Sequence, residues 1–261
     1  MLEKNIFILW LQGWENATWL NKKVAESWEI NNPEWKINLI DLVNLKDYVT
    51  DIDYIYDTNK NISPQAKSDI IRLSLLKNHG GVWADATMLC MQPLDHWVYE
   101  AVEPGGLWMY HGPGGGMNNI GPASWFIVSK KNEYLINKWK EECDKYWNNN
   151  NFTDNYFWMD ALFSKAYHDD QIFRELWSKV PYIWCELDGQ SHTLAHHGMQ
   201  HNTPHIKELI EKEPPYALKL WKHWNDIFPD VNTEECRNSN GYHAIELSKR
   251  KYSFKHKMSI K

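Results

Sequence analysis

The sequence predicts an α/β fold, and three features near its start carry the prediction. First, Ile6-Phe7-Ile8-Leu9-Trp10 is a short, continuously apolar run closed by Gln12-Gly13, the pattern of a strand buried in a parallel sheet. Second, residues 17–29 keep helical spacing, with Ala17, Leu20, Val24 and Trp28 near one face. Pro33 bars further helix, and Trp35 to Asp41 alternates as a second strand. A strand–helix–strand opening closes through a right-handed crossover and begins an α/β domain. Third, a well-punctuated helix leads into another strand. Ser63 caps it, Pro64 suits its first turn, and Asn78 with Gly80-Gly81 ends it.

Within that helix Ile70, Ile71, Leu73, Leu75 and Leu76 cover a broad face, as a helix buried against a sheet requires. Val82-Trp83-Ala84 follows as a short strand, then Asp85-Ala86-Thr87. Leu107 to Tyr110 and Trp125 to Val128 predict two more strands, and residues 132–147 a helix through Leu135, Ile136, Trp139 and Cys143. Asp154 is expected to cap a further helix through Trp158, Asp160, Leu162 and Phe163. Beyond about residue 185 come a His-rich stretch, a Pro-bounded helix near 206–213 and a basic end. The simplest organisation is one domain over residues 1–215, with a helical C-terminal extension over 216–261 packed on it.

Composition narrows the function. The 261 residues are 43% hydrophobic and 24% charged, the balance of an ordinary globular protein. With 28 Lys+Arg against 34 Asp+Glu the net charge is −6, which argues against a general nucleic-acid binder. Mean hydropathy is −0.63, and no apolar run approaches the ~20 residues of a membrane span. Residues 1–5 lead straight into a strand without the apolar stretch of a signal peptide, so a cytoplasmic location is expected. Cys90, Cys143, Cys185 and Cys236 are far apart and are expected as free, mostly buried thiols. The 16 tryptophans are abnormal: most belong in a core, while a minority suit stacking on a sugar or a base.

The stretch richest in chemistry runs from Ser68-Asp69-Ile70-Ile71-Arg72 to Gly80-Gly81-Val82-Trp83-Ala84-Asp85. Asp69 and Arg72 are neighbours on one helix face. Gly80 and Gly81 turn the chain and let a ligand approach backbone, and Asp85 falls at a strand's carboxyl end, where open α/β sheets bind ligands. Each residue alone has a bland reading, an ion pair or a turn; the set at this spacing is far more specific. The Gly114–Gly116 run is no phosphate loop, because no Gly-Lys-Ser/Thr follows it.

Ser-Asp-x-x-Arg followed by Gly-Gly-x-x-x-Asp resembles the nucleotide-sugar signature of glycosyltransferase family thirty-two, most closely its capsular polysaccharide synthesis branch. Residues 8–13, Ser27-Trp28, Ser124 to Ile127 and Tyr156 to Asp160 extend the resemblance across roughly residues 5–190. It implies a GT-A fold, a Rossmann-like mixed sheet flanked by helices, that moves a sugar from a nucleoside-diphosphate donor, UDP-linked by analogy, to a glycan hydroxyl. It implies Asp69 on sugar hydroxyls, Arg72 on sugar or phosphate, and Trp10, Gln12 and Gly13 lining the nucleotide pocket. It also implies a divalent cation, Mn2+ or Mg2+, on Asp85. The second carboxylate of the Asp-x-Asp pattern is Thr87 here, acting through water, a departure that leaves metal-independent transfer open; His196 or His197 would be a late metal ligand and Lys219 would meet the diphosphate.

For the acceptor, Asp160 is the candidate: in an inverting transferase it deprotonates the incoming hydroxyl, and in a retaining one it stabilises an oxocarbenium-like centre or orients the acceptor. His192, His196, His197, His201 and His205 fall within fourteen positions but lack the Glu of an HExxH zinc hydrolase. Two rival readings stand beside transfer: a sugar-nucleotide hydrolase, and a non-catalytic carbohydrate-binding protein that stacks sugars on tryptophan.

Overall fold

The computed structural model describes residues 1–111, 122–183, 201–220 and 223–250. Its centre is a five-stranded mixed sheet in the order β2-β1-β3-β6-β5. The strands are β1 (Asn5–Leu9), β2 (Lys36–Ile40), β3 (Gly81–Ala84), β5 (Leu107–His111) and β6 (Pro122–Ser129). A separate two-stranded sheet joins β4 (Met88–Cys90) to β7 (Ala217–Lys219). Strand β1 pairs in parallel with β2 and β3, while β6 runs antiparallel to both β3 and β5. The predicted α/β class is therefore the observed one, with helices flanking the sheet.

The opening crossover is helix α1 (Trp19–Asn31), whose first turn is held by the Thr18 hydroxyl accepting from the Asn21 amide. Helix α2 (Pro64–His79) is capped by Ser63 as expected, and Ile70, Ile71, Leu73, Leu75 and Leu76 are wholly buried. Such a helix is apolar most of the way round because the sheet covers one side and α4 (Tyr134–Asn149) another. Between α2 and α4 the Lys140 side chain is fully buried and pairs with Asp144 at 2.6 Å and Asp51 at 3.6 Å. The remaining helices are α3 (Val98–Val102), α5 (Trp158–Asp169), α6 (Gln171–Trp177), α7 (Pro204–Lys212), α8 (Trp224–Ile227), α9 (Glu234–Asn238) and α10 (Asn240–Ser248).

Most of the tryptophan excess is core. Ten of the sixteen, among them Trp28, Trp83, Trp108 and Trp139, are nearly or wholly buried. They meet edge-on or stacked, as Trp97 does with Trp108 at 5.0 Å and with Tyr216 at 4.2 Å. Cys90, Cys143 and Cys236 are buried free thiols as expected, and Cys185 lies outside the described residues.

Three details differ from the sequence reading. Helix α5 starts only at Trp158, so Asp154 does not cap it; Asn155 takes the Phe157 amide with its side-chain oxygen and sets the entry instead. Strand β7 was unforeseen, and it crosses the boundary expected at 215/216 by pairing directly with β4. The segment after residue 216 is thus built into the fold, and α10 adds to this when Asn31 donates to the Ser248 carbonyl.

The third difference concerns Gly80 and Gly81. Both take positive φ, 66° and 109°, and they sit at the amino end of β3, a strand's length from Asp85. A Cβ on Gly81 would lie 2.3 Å from the Asn5 carbonyl oxygen. Their role here is to turn the chain and admit β1 closely, not to receive the donor beside Asp85. Gly81→Ala is expected to lower stability by about 1–3 kcal/mol through backbone strain and that clash; a thermal melt at the wild-type midpoint would contradict it.

Candidate functional site

The site lies along one edge of the main sheet. Because β1 and β3 are parallel, their carboxyl ends point the same way, and extending the register of Phe7 with Trp83 sets Leu9 level with Asp85. Strand β6 begins at that edge: Ala84 pairs with Phe126, and the Asp85 amide donates to the Trp125 carbonyl at 2.9 Å. Helix α2 runs back over the same edge and brings Asp69 and Arg72 to it.

Arg72 is the hub. It is 6% exposed, and its guanidinium lies over the Trp83 ring at 5.0 Å. Its Nη1 donates to the Ser124 carbonyl at 2.6 Å and its Nη2 to the Ser68 hydroxyl at 3.2 Å. The same Nη2 lies 3.1 Å from Asp69 and 3.4 Å from Asp85, so one guanidinium joins two carboxylates from different elements. The i,i+3 pair expected on α2 is real, and it is one arm of a larger network.

Asp85 has partners on both oxygens. Oδ1 accepts from Trp83 Nε1 at 2.9 Å, and Oδ2 accepts from Lys219 Nζ at 2.7 Å. Lys219 reaches this place because β7 pairs with β4, Met88 opposite Lys219, and the Leu220 amide donates to the Thr87 carbonyl. Burial raises the Asp85 pKa, but Lys219 and Arg72 more than offset it and hold the carboxyl below its ordinary range. The next residues form a tight turn, with the Met88 amide donating to the Asp85 carbonyl and Asn21 donating to the Ala86 carbonyl. Thr87 is buried beside them.

The other two carboxylates are shifted the opposite way. Burial pushes Asp69 up to about 6, helped by the charge on Asp85 and opposed by Arg72 and a hydrogen bond from Trp158 Nε1. That Trp158 bond also ties the start of α5 to α2. Two residues further, Asp160 is buried, and desolvation with the charge on Asp69 pushes it up to about 7. Carboxylates whose environments drive their pKa values apart are the arrangement that separates acid, base and fixed-charge roles at neutral pH.

Trp10, Gln12 and Gly13 follow β1 on the same edge. Gly13 takes φ 89° and donates its amide to the Trp10 carbonyl, which folds the chain back. Gln12 is exposed, and Trp10 Nε1 is buried with no hydrogen-bond partner among the described residues. Trp125, stacked on Tyr110 at 5.5 Å, has Lys219 over its ring at 6.0 Å. Of the residues singled out in the sequence, the fold brings Asp69, Arg72, Asp85, Thr87, Lys219 and Asp160 to one edge with Trp10, Gln12 and Gly13. It leaves Gly80 and Gly81 at the far end of β3. His196 and His197, like His192 and the Gly114–Gly116 run, lie outside the described residues.

Three supporting contacts have no role assigned from the sequence, although Ser68 opens the Ser-Asp-x-x-Arg motif and Ser124 lies within the resemblance: Trp83, the Ser68 hydroxyl and the Ser124 carbonyl hold Arg72 and Asp85 in place. Trp158 is legible as a helix residue, but its bond to Asp69 is a matter of packing.

The described residues do not fit the divalent ion expected on Asp85. Mg2+ and Mn2+ require several oxygen ligands at about 2.0–2.2 Å. Here both Asp85 oxygens already receive donors, two of them on cations, and Thr87 replaces the second carboxylate. Among the described residues no three His, Cys, Asp or Glu side chains converge on one point.

Residues 1–227 match the family described as capsular polysaccharide synthesis protein. The chain belongs to that family. Glycosyltransferase afumC of Aspergillus fumigatus is 30% identical over 111 residues, 38% of this chain and 28% of its own length. O-glycosyltransferase braB of Annulohypoxylon truncatum is 24% identical over 163 residues, 56% of this chain and 38% of its own. The match thus spans well under half of either curated relative. A solved structure titled PaToxG Glycosyltransferase aligns over 65% of this chain and 69% of that one, with 18% identity and a TM-score of 0.44. Among the described residues of this capsular-synthesis family member, no helix is long and apolar enough to cross a membrane.

Arg72→Met leaves two carboxylates facing each other without their shared cation, and should cost about 3–5 kcal/mol of stability; a denaturation midpoint unchanged from wild type would contradict the hub. Asp160 stabilises the fold in its neutral form. Its contribution is full below the ordinary carboxylate pKa and is lost as pH rises through about 7. Asp160→Asn should therefore be the more stable protein above pH 7, by about 2–4 kcal/mol, and indistinguishable in strong acid. Parallel stability–pH curves for the two proteins would exclude the shift.

Proposed function

We propose that this chain is a glycosyltransferase of GT-A type that moves a sugar from a nucleoside-diphosphate donor, UDP-linked by analogy, to a hydroxyl of a glycan acceptor. The observation that carries the reading is the pairing of a cationic edge with a buried acid beside it. Arg72 and Lys219 converge on Asp85, and Asp160 stands next to Asp69 with its pKa near neutrality. The family match and the two fungal glycosyltransferases support it, and the name of the second supports transfer to oxygen.

Sugar transfer needs both halves. As the bond from the anomeric carbon to the diphosphate breaks, negative charge grows on the leaving oxygen, and fixed cations aimed there lower the barrier. Lys219 and Arg72 supply them. Asp69, neutral or ionised near pH 6, offers hydrogen bonds to donor hydroxyls. Trp10, whose buried N–H has no partner among the described residues, closes the nucleotide end of the same edge together with Gln12 and Gly13. Asp160 takes the proton of the incoming hydroxyl, a task for which a base with a pKa near the working pH is best suited.

A bare lectin needs neither a diphosphate site nor a base, and nucleotide affinity separates the two readings. Thermal melts with UDP-, GDP-, CMP- and dTDP-sugars, each with EDTA or with Mn2+, are expected to single out one nucleotide. At ~100 Kd a ligand adds about 2.7 kcal/mol, an easily seen shift. A flat panel from a folded protein would overturn the transferase reading. With the donor identified, Asp160→Asn should bind it as tightly as wild type and transfer at least about 100-fold more slowly. Wild-type transfer should also rise with pH through about 7; full turnover by Asp160→Asn would remove that residue from the mechanism.

A further inference from the structure

We propose that Lys219 takes the place of the divalent cation at this site, so that donor binding and sugar transfer proceed without a metal ion. The inference rests on the transferase reading above and is carried by the surroundings of Asp85.

A carboxylate at the carboxyl end of β3 is where a metal would be expected to sit between protein and diphosphate. Lys219 Nζ lies 2.7 Å from Asp85 Oδ2, and Arg72 Nη2 lies 3.4 Å from Oδ1 with Trp83 Nε1 donating to the same atom. A metal ion about 2.1 Å from Oδ2 would share that oxygen's outer side with an ammonium already there, and the two positive charges would repel. Lys219 is also not a wandering surface lysine. It is the last residue of β7, registered opposite Met88, and the following amide is bonded to the Thr87 carbonyl. Its side chain is only 15% exposed. The chain therefore builds a strand pairing whose outcome is to set one ammonium against the single carboxylate of the Asp-Ala-Thr turn. Thr87 stands where a second acid would be needed to hold an ion of double charge.

The two cations have different work. The Arg72 fork, 7% exposed, is committed to Ser124, Ser68 and Asp69, so it fixes the edge and lends its charge there. Lys219, the more exposed of the two at 15%, is a compact point charge, a kind of group well suited to meeting a phosphate as its charge grows. In the transfer step the bond between the anomeric carbon and the diphosphate oxygen breaks, and its electron pair stays on that oxygen. A bond forms between the anomeric carbon and the acceptor oxygen, and the acceptor proton passes to the Asp160 carboxylate. Lys219 keeps its proton throughout and meets the leaving diphosphate with charge and hydrogen bonds. No metal enters the balance.

The test has two arms. In the first, MnCl2 alone is titrated into wild type, Asp85→Asn and Lys219→Met, and free Mn2+ is followed by its electron paramagnetic resonance signal. Wild type is expected to bind no more Mn2+ than Asp85→Asn; binding that is present in wild type and lost in Asp85→Asn overturns the proposal. In the second, UDP and GDP are titrated calorimetrically into wild type in EDTA and in excess Mn2+. The nucleotide that binds should do so within about twofold in both buffers, whereas a tenfold gain with Mn2+ overturns the proposal. Lys219→Met should lose about tenfold or more in EDTA, with Lys219→Arg between the two. Should Lys219→Met fail to fold, the wild-type arms and Lys219→Arg still decide. Failure of every nucleoside diphosphate in either buffer would count against the transferase reading itself, while the Mn2+ titration would still report on Lys219.

Discussion

The guanidinium of Arg72 is the interaction on which the rest of the edge depends. It is buried and rests on the Trp83 ring, and it links a helix (Asp69, Ser68), the end of a central strand (Asp85) and the start of an antiparallel strand (Ser124). A buried cation is costly unless its donors are satisfied and its charge is matched, and here both conditions are met by groups from separate elements. Position and charge are therefore set by the same contacts. The carboxylates cannot leave without stranding the cation, and the cation holds them near enough to influence one another.

That mutual influence divides the labour. Asp85, with Lys219 and Arg72 against it, stays ionised well into acid. Asp69 has only part of the guanidinium and sits nearer neutrality, and Asp160, on which burial and the charge of Asp69 outweigh the pull of Arg72, is shifted furthest. Three identical side chains thus take three protonation behaviours from burial and distance to two cations. The Trp158 bond to Asp69 makes this hold in space as well, because it fixes the first turn of the helix that carries Asp160.

Much of this was legible in the sequence, for local reasons. The apolar run at 6–10, the alternation at 35–41, the Ser63–Pro64 start and the glycine stop predict β1, β2 and α2 within a residue or two, because strand burial, capping and positive φ leave direct marks on residue choice. Asp69, Arg72 and Asp85 stood out by spacing along one helix and the strand that follows it. The far-reaching pairings left no such mark. Strand β7 has only three residues, and its pairing with β4 brings Lys219 to Asp85 across 134 positions. The same limit misplaced the helix start near Asp154, where a neighbouring Asn155 proved the better-placed side chain. It also gave Gly80 and Gly81 a ligand role, although their positive φ and the nearness of Asn5 explain them without one.

One edge of the sheet holds three carboxylates in three electrostatic states governed by Arg72 and Lys219. Carbon-13 NMR of the aspartate carboxyls, titrated across the folded pH range with Asp69, Asp85 and Asp160 assigned by substitution, reads those states directly. The account predicts Asp85 titrating below the ordinary aspartate range, Asp69 near 6 and Asp160 near 7. Three carboxyls titrating together near the unperturbed aspartate value of about 3.9 would contradict it.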